Sequence, residues 1–572
     1  MQTNRGRRID RSSWISDPTS RLEKLASSRR TLSVRMAPLL GYIVTMLLAS
    51  ELAMAAKLPN FVFLICDSMD GRVVDPTSPI SQAMATPTFD KLAKNGVNFV
   101  NNYCPSPQCV PSRAAMFSGR FPHKTKAWNN GQGLCKTWSD TDPDKCTDQG
   151  TNKYWNTFDS ILEEHGYTVN LIGKVDVGAG LGGGFHGQDA GAALTAWTRS
   201  ANVTHPQKPD PRTLVSNSSK LPKESDWKTI EKCVEWLSTE AKKSEPYFLY
   251  CSVGIPHPSY VTNATWLAMV NETAVTVPKW LPWEEMHPAD QYESASKALY
   301  YDGLESFSND DILNVRRAYY AMVSETDAMF GRVIDLVDLE DTNVIFTSDH
   351  GEGNMEHRQN WKNSMYDANN RVPLLMSGVG VAKDLLVRNA TSNIDLYPTM
   401  LKWAGINGFS MDGLDGRDIT PFFDAEPQQK MQPNYVVGEY HSNMANTGHF
   451  MVKKDNMKLI DFGRTPPFQD YKPQLFDLKA DPEELNDISA ANPAVVKEMQ
   501  QLLASKMGDI QTIDQEVKTQ DKQRFRQWMG LHKEKWPQML QKAAYYGPGP
   551  TKWGTDADIK QITDWLNGTA AA

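Results

Sequence analysis

Asn60-Phe-Val-Phe-Leu-Ile-Cys66 is an unbroken apolar run of strand length. A strand without polar alternation sits where both faces of a sheet are covered, so this run demands helices above and below it. It ends on Asp67, followed by Ser68-Met69-Asp70-Gly71. The rest of the chain supplies the covers. Thr86-Pro87 sets an N-cap residue before a proline at the first helical position, opening a short helix that Gly96 closes. A second helix runs from Phe158 to His165, with Gly166 after it, and leads into a strand Thr168–Ile172. From Asp226, an N-cap residue, Trp227, Ile230, Val234, Leu237 and Ala241 recur at helical spacing, and the apolar strand Tyr247–Val253 follows. A long amphipathic helix over about Asp310 to Val337 precedes the strand Asn343–Ser348 and then Asp349-His350-Gly351.

This alternation predicts an α/β fold with a large mixed, mostly parallel sheet flanked by helices on both faces. In such folds ligands bind at the carboxyl ends of the strands. Asp67, His257 and Asp349-His350 all fall just past a strand end, which gathers them towards one site. Beyond about residue 425 the texture changes to short strands, Asn434–Glu439, Gly448–Lys454 and Met457–Phe462, then a helix from Pro493 to about Met507. The expected division is therefore an N-terminal extension and signal peptide (1–56), a catalytic domain (57–424), and a smaller C-terminal α+β domain with an antiparallel sheet and a helical tail (425–572).

The extension carries its own signals. Residues 1–35 are rich in Arg and Ser, and Met36–Ser50 is an apolar stretch too short for a comfortable membrane span, ending near Ala53-Met54-Ala55. That pattern is a signal-peptide core with a small-residue cleavage site, an uncleaved anchor being the rival reading. Six N-x-S/T sequons follow, at Asn202, Asn217, Asn263, Asn271, Asn389 and Asn567. Together they place the chain in the secretory pathway, as a secreted or lysosomal glycoprotein without stable membrane insertion. Seven cysteines leave at least one without an internal partner in an oxidising compartment, and Cys135 and Cys146, in a polar segment, are expected to close a short loop. A formal charge of -8 offers no global field to recruit nucleic acid, so any anionic substrate must meet positive charge inside a pocket.

The sharpest chemical signal is Cys109-Val-Pro-Ser-Arg113, continuing to Gly119-Arg120. It resembles the signature of the sulfatase family, and the resemblance extends over about residues 57–490. It implies that an endoplasmic-reticulum formylglycine-generating enzyme oxidises Cys109 to formylglycine. A thiolate attacking sulfate would form an adduct with no easy exit. A hydrated aldehyde attacks through one hydroxyl and, on deprotonation of the other, expels the sulfate. Asp67, Cys109, Asp349 and His350 match the family's metal position and imply calcium, a hard ion suited to carboxylate oxygens. Ser68 stands where the family has a second Asp, with Asp70 a nearby substitute. Arg113, His123, Lys174, His257 and Lys362 match the catalytic set, of which Lys174, His257 and Lys362 are expected to bind the sulfate. Asp176 replaces the His of the family's G-K-x-H.

Strings such as Asp67-Ser-Met-Asp-Gly-Arg72 and Ser364-Met-Tyr366 are similar to one branch of the family, whose members remove the 2-sulfate from glucuronate in glycosaminoglycans. In that light Glu356, His357, Arg358 and His441 are candidate contacts to the sugar. The expected function is a sulfuric ester hydrolase acting on sulfated glycans and aryl sulfates. Two rivals remain: a phosphodiesterase or phosphatase of the same alkaline-phosphatase-like superfamily, and a non-catalytic glycan-binding protein.

Overall fold

The apolar run forms β1 (Asn60–Asp67), buried along its whole length. In the computed structural model, which describes residues 58–130, 133–134, 155–177, 210–297, 299, 307–424, 433–542 and 556–567, β1 is an inner strand of a seven-stranded sheet. The other strands are β2 (Gly96–Phe99), β3 (Thr168–Gly173), β4 (Tyr247–Pro256), β5 (Thr342–Ser348), β6 (Leu374–Ser377) and β7 (Leu385–Val387). Their order is β7-β2-β6-β5-β1-β4-β3. All run in one direction except β6, which is antiparallel to both β2 and β5.

The period of two along β1 divides its side chains between two cores. Val62, Leu64 and Cys66 pack with α1 (Pro87–Lys94), α4 (Glu224–Thr239) and α5 (Asn309–Ile334), through Phe89, Ile230 and Phe330 among others. Phe61, Phe63 and Ile65 pack with α2 (Cys109–Ser118), α3 (Phe158–Glu164) and α6 (Leu396–Trp403), through Phe117, Phe158 and Met400. Helices on both faces are thus what the composition of the strand required. The register aligns the strand ends: Asp67 pairs with Pro256 and Cys66 with Ser348, so the residues that follow β1, β4 and β5 leave the sheet at one edge.

The second sheet is an antiparallel meander of β8 (Tyr435–Tyr440), β9 (His449–Lys454), β10 (Met457–Phe462) and β11 (Gln474–Asp477). α7 (Pro493–Met507) closes it through Met499, Leu503 and Met507, and α8 (Ile510–His532) follows. Both sheets belong to one compact unit, Pro59–Ala572. A buried charge cluster on the meander helps to join them. Lys458 donates to Asp367 at 2.7 Å and to Glu484 at 2.8 Å, and Asp367 follows the loop that carries Lys362.

One expectation needs correction, and two are extended. α4 begins at Glu224, with Lys223 at the cap position, and Asp226 lies inside the first turn, where its carboxylate accepts from the Gly254 amide at 2.9 Å. Gly96 does not merely stop a helix; it opens β2, where a Cβ would stand 2.1 Å from the Met376 carbonyl oxygen. Among the described cysteines the disulfide joins Cys233 on α4 to Cys251 on β4, while Cys66, Cys104 and Cys109 are free and buried. Cys135 and Cys146 lie outside the described residues.

The ring of Phe346, on β5, is fully buried, stacks on Phe89 at 4.2 Å and meets the edge of Phe330 at 5.7 Å. Phe346→Ala should cost about 3–5 kcal/mol, because its neighbours, fixed by sheet and helix, cannot collapse into the void. Urea unfolding followed by fluorescence would show it as the midpoint shift multiplied by the slope m.

Candidate active site

Each member of the site is delivered by a chain reversal at the carboxyl edge of the sheet. Asp67 ends β1, Asp349-His350 follows β5, Lys174 follows β3 and His257 follows β4. Cys109 is the first residue of α2, whose N-terminus faces the same edge. A helix start exposes unpaired amides and positive dipole, which favours negative charge on the first side chain.

Asp67, Cys109, Asp349 and His350 are all buried, and their ligand atoms lie within 4.8 Å of one another. The Cys109 thiol is 3.5 Å from Asp67 Oδ2 and 3.5 Å from His350 Nε2, and it receives the Lys362 ammonium at 2.8 Å. Lys174 pairs with Asp67 and, at 3.1 Å, with Asp176. Ser68 bonds both carboxylates: its hydroxyl donates to Asp67 at 3.1 Å and its amide to Asp349 at 3.3 Å. It turns there through a left-handed conformation, φ 74°. Asp70 is not a member of the cluster. Its carboxylate is taken by Arg72, through Nε at 3.0 Å and Nη2 at 2.7 Å.

Arg113 is the brace. It lies one turn along α2, wholly buried, and donates through Nε to Asp349 at 2.9 Å. Its Nη1 reaches the Lys174 carbonyl at 2.6 Å, Tyr250 at 2.8 Å and Ser252 at 2.9 Å. Ser112 adds a bond from its hydroxyl to the Asp349 carbonyl at 2.5 Å. Tyr250 and Ser252 were not expected, because within an apolar strand they read as part of the core.

Electrostatics follow from this packing. Burial and the Asp67 carboxylate push the Cys109 thiol up, but the ammonium groups of Lys174 and Lys362 and the His350 bond outweigh them, bringing it down to about 7. The position therefore stabilises negative charge on whatever atom residue 109 carries beyond its Cβ. Burial holds the His257 imidazole well below its usual value, and the Lys362 charge adds to this. Its Nδ1 donates to the Pro258 carbonyl at 2.5 Å, leaving Nε2 bare in the neutral ring. The ring also meets the edge of Trp361 at 5.1 Å.

The donor chemistry suits a divalent cation: two carboxylates and an imidazole converge in a buried pocket beside residue 109. Other expected residues have partners outside this cluster. His123 bonds Glu439 on β8 at 3.0 Å, and His441 bonds the same carboxylate at 2.8 Å. Glu356 pairs with Arg72 at 2.9 Å, His357 stacks on Tyr366 at 3.6 Å, and Arg358 lies 4.7 Å over Trp280. These four candidate sugar contacts are engaged within the protein. Of the sequons, Asn217, Asn271 and Asn567 are exposed, Asn263 and Asn389 are half-buried, and Asn202 lies outside the described residues.

Comparison with known proteins gives the class to which this buried, cation-rimmed site belongs. The chain belongs to the sulfatase family, whose model matches residues 59–406, and is a sulfuric ester hydrolase. A model described as N-sulphoglucosamine sulphohydrolase, C-terminal, matches residues 355–512. More particularly, the chain is 35% identical over 500 residues to Arylsulfatase K of Homo sapiens, covering 83% of this chain and 87% of that protein. To Arylsulfatase K of Danio rerio it is 32% identical over 539 residues, covering 89% and 95%. Two solved structures share the fold. A phosphonate monoester hydrolase from Silicibacter pomeroyi has TM-score 0.59, 21% identity, and coverage of 78% of this chain and 95% of that one. A 2-O GAG sulfatase has TM-score 0.55, 22% identity, and coverage of 82% and 94%.

Arg113→Met should leave the Asp349 carboxylate buried without its partner and cost about 3–5 kcal/mol of stability. Arg113→Lys should recover only part, since one ammonium cannot serve four acceptors in three directions. Denaturant midpoints of the two variants would measure the difference.

Proposed function

We propose that this chain removes sulfate from sulfated glycans, with 2-O-sulfated glucuronate of glycosaminoglycans as the principal substrate and aryl sulfates as simple ones. The observation that carries the reading is the meeting of Lys174, Lys362 and the start of α2 around residue 109. Residue 109 would act as formylglycine, produced by a formylglycine-generating enzyme, and Asp67, Asp349 and His350 would hold calcium. The Cys109 sulfur marks where the hydroxyls of the formylglycine hydrate would stand. Together the two groups supply a hydroxyl nucleophile, a second hydroxyl whose deprotonation releases sulfate, and a charge that offsets the sulfate oxygens.

The chain's own side chains do the rest. Lys362 and Lys174 present ammonium donors to the anionic ester and stabilise charge as it grows. Arg113 holds Asp349 in place and adds positive charge behind it. His257, neutral with a bare Nε2, is set to take a proton in the site. The preference for glucuronate is supported by the similarity to the Arylsulfatase K branch, and a structural neighbour is itself named a 2-O GAG sulfatase. Secretion or lysosomal delivery agrees with the apolar leader and the sequons. Among the described residues no helix is long and apolar enough to cross a membrane.

Mass spectrometry of the tryptic peptide Asn95–Arg113, from protein made in a secretory host, should show a species lighter than the thiol form and reactive to carbonyl reagents. Cys109→Ala should abolish turnover with an unchanged melting temperature. Substantial residual activity would overturn the mechanism. On defined disaccharides, 2-O-sulfoglucuronate should be cleaved faster than 2-O-sulfoiduronate. Equal rates would remove the glucuronate assignment and leave the hydrolase intact.

A further inference from the structure

The turn that carries His257 is held from outside the reaction centre. Lys223, the residue before α4, sends its ammonium to the His257 carbonyl at 3.1 Å and to the Ser259 carbonyl at 2.9 Å. One turn further along the helix, Asp226 takes the Gly254 amide at 2.9 Å. The first turn of α4 thus grips the end of β4 on both sides of His257. Lys223 itself adopts φ 48°, ψ 42°, a left-handed conformation that a residue with a side chain reaches only at a cost. On the other side of the turn Tyr260 donates to Glu352 at 3.1 Å and to Asn360, and the Trp361 ring packs on the His257 ring. Burial lowers the Lys223 ammonium from its usual value, and the charges of Asp226, Glu325 and, least, Asp67 act against that.

We propose that Lys223 is a positioning residue for sulfate ester hydrolysis, fixing through the carbonyl oxygens of His257 and Ser259 where the His257 imidazole stands. The inference rests on the reading of His257 as a member of the catalytic set. The Ser259 carbonyl accepts from the Val261 amide at 3.0 Å, and the Lys223 ammonium fills its second lone pair while also satisfying the His257 carbonyl. Without it the turn keeps only the bond from the Gly254 amide to Asp226 as its tie to α4, while the sheet beneath is untouched. The imidazole would then wander by a distance that matters for proton transfer and not for the fold.

The test is a double-mutant cycle on the full chain converted at residue 109, assayed with 4-nitrophenyl sulfate. Lys223→Met should lower kcat about 10- to 100-fold, the scale of a displacement of about 1 Å, with KM little changed. Its melting temperature should match that of the parent. Lys223→Arg, which still donates to two carbonyls, should recover most of the rate. In a His257→Ala background Lys223→Met should cost nothing further, because its effect passes through the imidazole. An equal penalty in that background, or no penalty in either, overturns the proposal. If His257→Ala alone keeps full activity, the placing of His257 in the catalytic set fails first. Should Lys223→Met not fold, Lys223→Gln, shorter and uncharged, takes its place in the cycle, and the same results support or overturn the proposal.

Discussion

One guanidinium connects every layer of this active site. Arg113 comes from the helix that presents Cys109, and its bonds run to the residue after β5, to the carbonyl after β3 and to two side chains of β4. Three separate strand ends and a helix are therefore indexed to one planar group. Burying such a charge would be ruinous without Asp349 and the carbonyl that receives it, and Asp349 would be equally costly alone. The cluster is stable only when complete. That mutual dependence gives the site its rigidity, and through the Lys174 carbonyl it fixes the backbone from which the Lys174 ammonium reaches Asp67.

Much of this was legible in the chain. The apolar run of β1 announced a strand covered on both faces. The strand ends named Asp67, His257 and Asp349, and the cysteine signature named Cys109 and Arg113. α7 was readable to its end residues, because Pro493 and Gly508 bracket an amphipathic run. What escaped was whatever depends on distance in sequence. Asp226 has the composition of a cap, and only the approach of β4 turns it into a partner for Gly254. Cys233 falls between stripe positions of a predicted helix and Cys251 within a predicted strand, and only the packing of α4 on the sheet brings them together. Nothing local marks Lys223 as more than a polar residue before a helix.

The segment that returns Lys362 to the site shows the same limit more sharply. Within residues 354–363, six non-glycine residues, Asn354, Met355, His357, Arg358, Trp361 and Asn363, have positive φ. No propensity predicts such a run, and each instance costs energy that the surroundings must offset. The offsets are visible. Arg72 and Arg316 hold Glu356, Trp280 donates to the Met355 carbonyl at 2.6 Å, and Glu352 receives the Trp361 amide. Glu356, through Arg72 and Arg316, and Arg358, through the Leu281 carbonyl and the Trp280 ring, help to hold this path in shape.

The strand order sets a timetable for synthesis. β1 pairs with β4 and β5, and the bond from the Ser68 amide to Asp349 spans 281 residues. A chain that emerges at 5–20 residues per second needs roughly 15–60 s to deliver that partner. Through this interval one of the most apolar stretches of the protein waits without its neighbour, and the sequons at Asn217, Asn263 and Asn271 emerge while it waits. A nascent chain of this design has to be kept from sticking to others for about half of its synthesis, so its yield should depend on the folding helpers of the host as much as on the stability of the finished molecule.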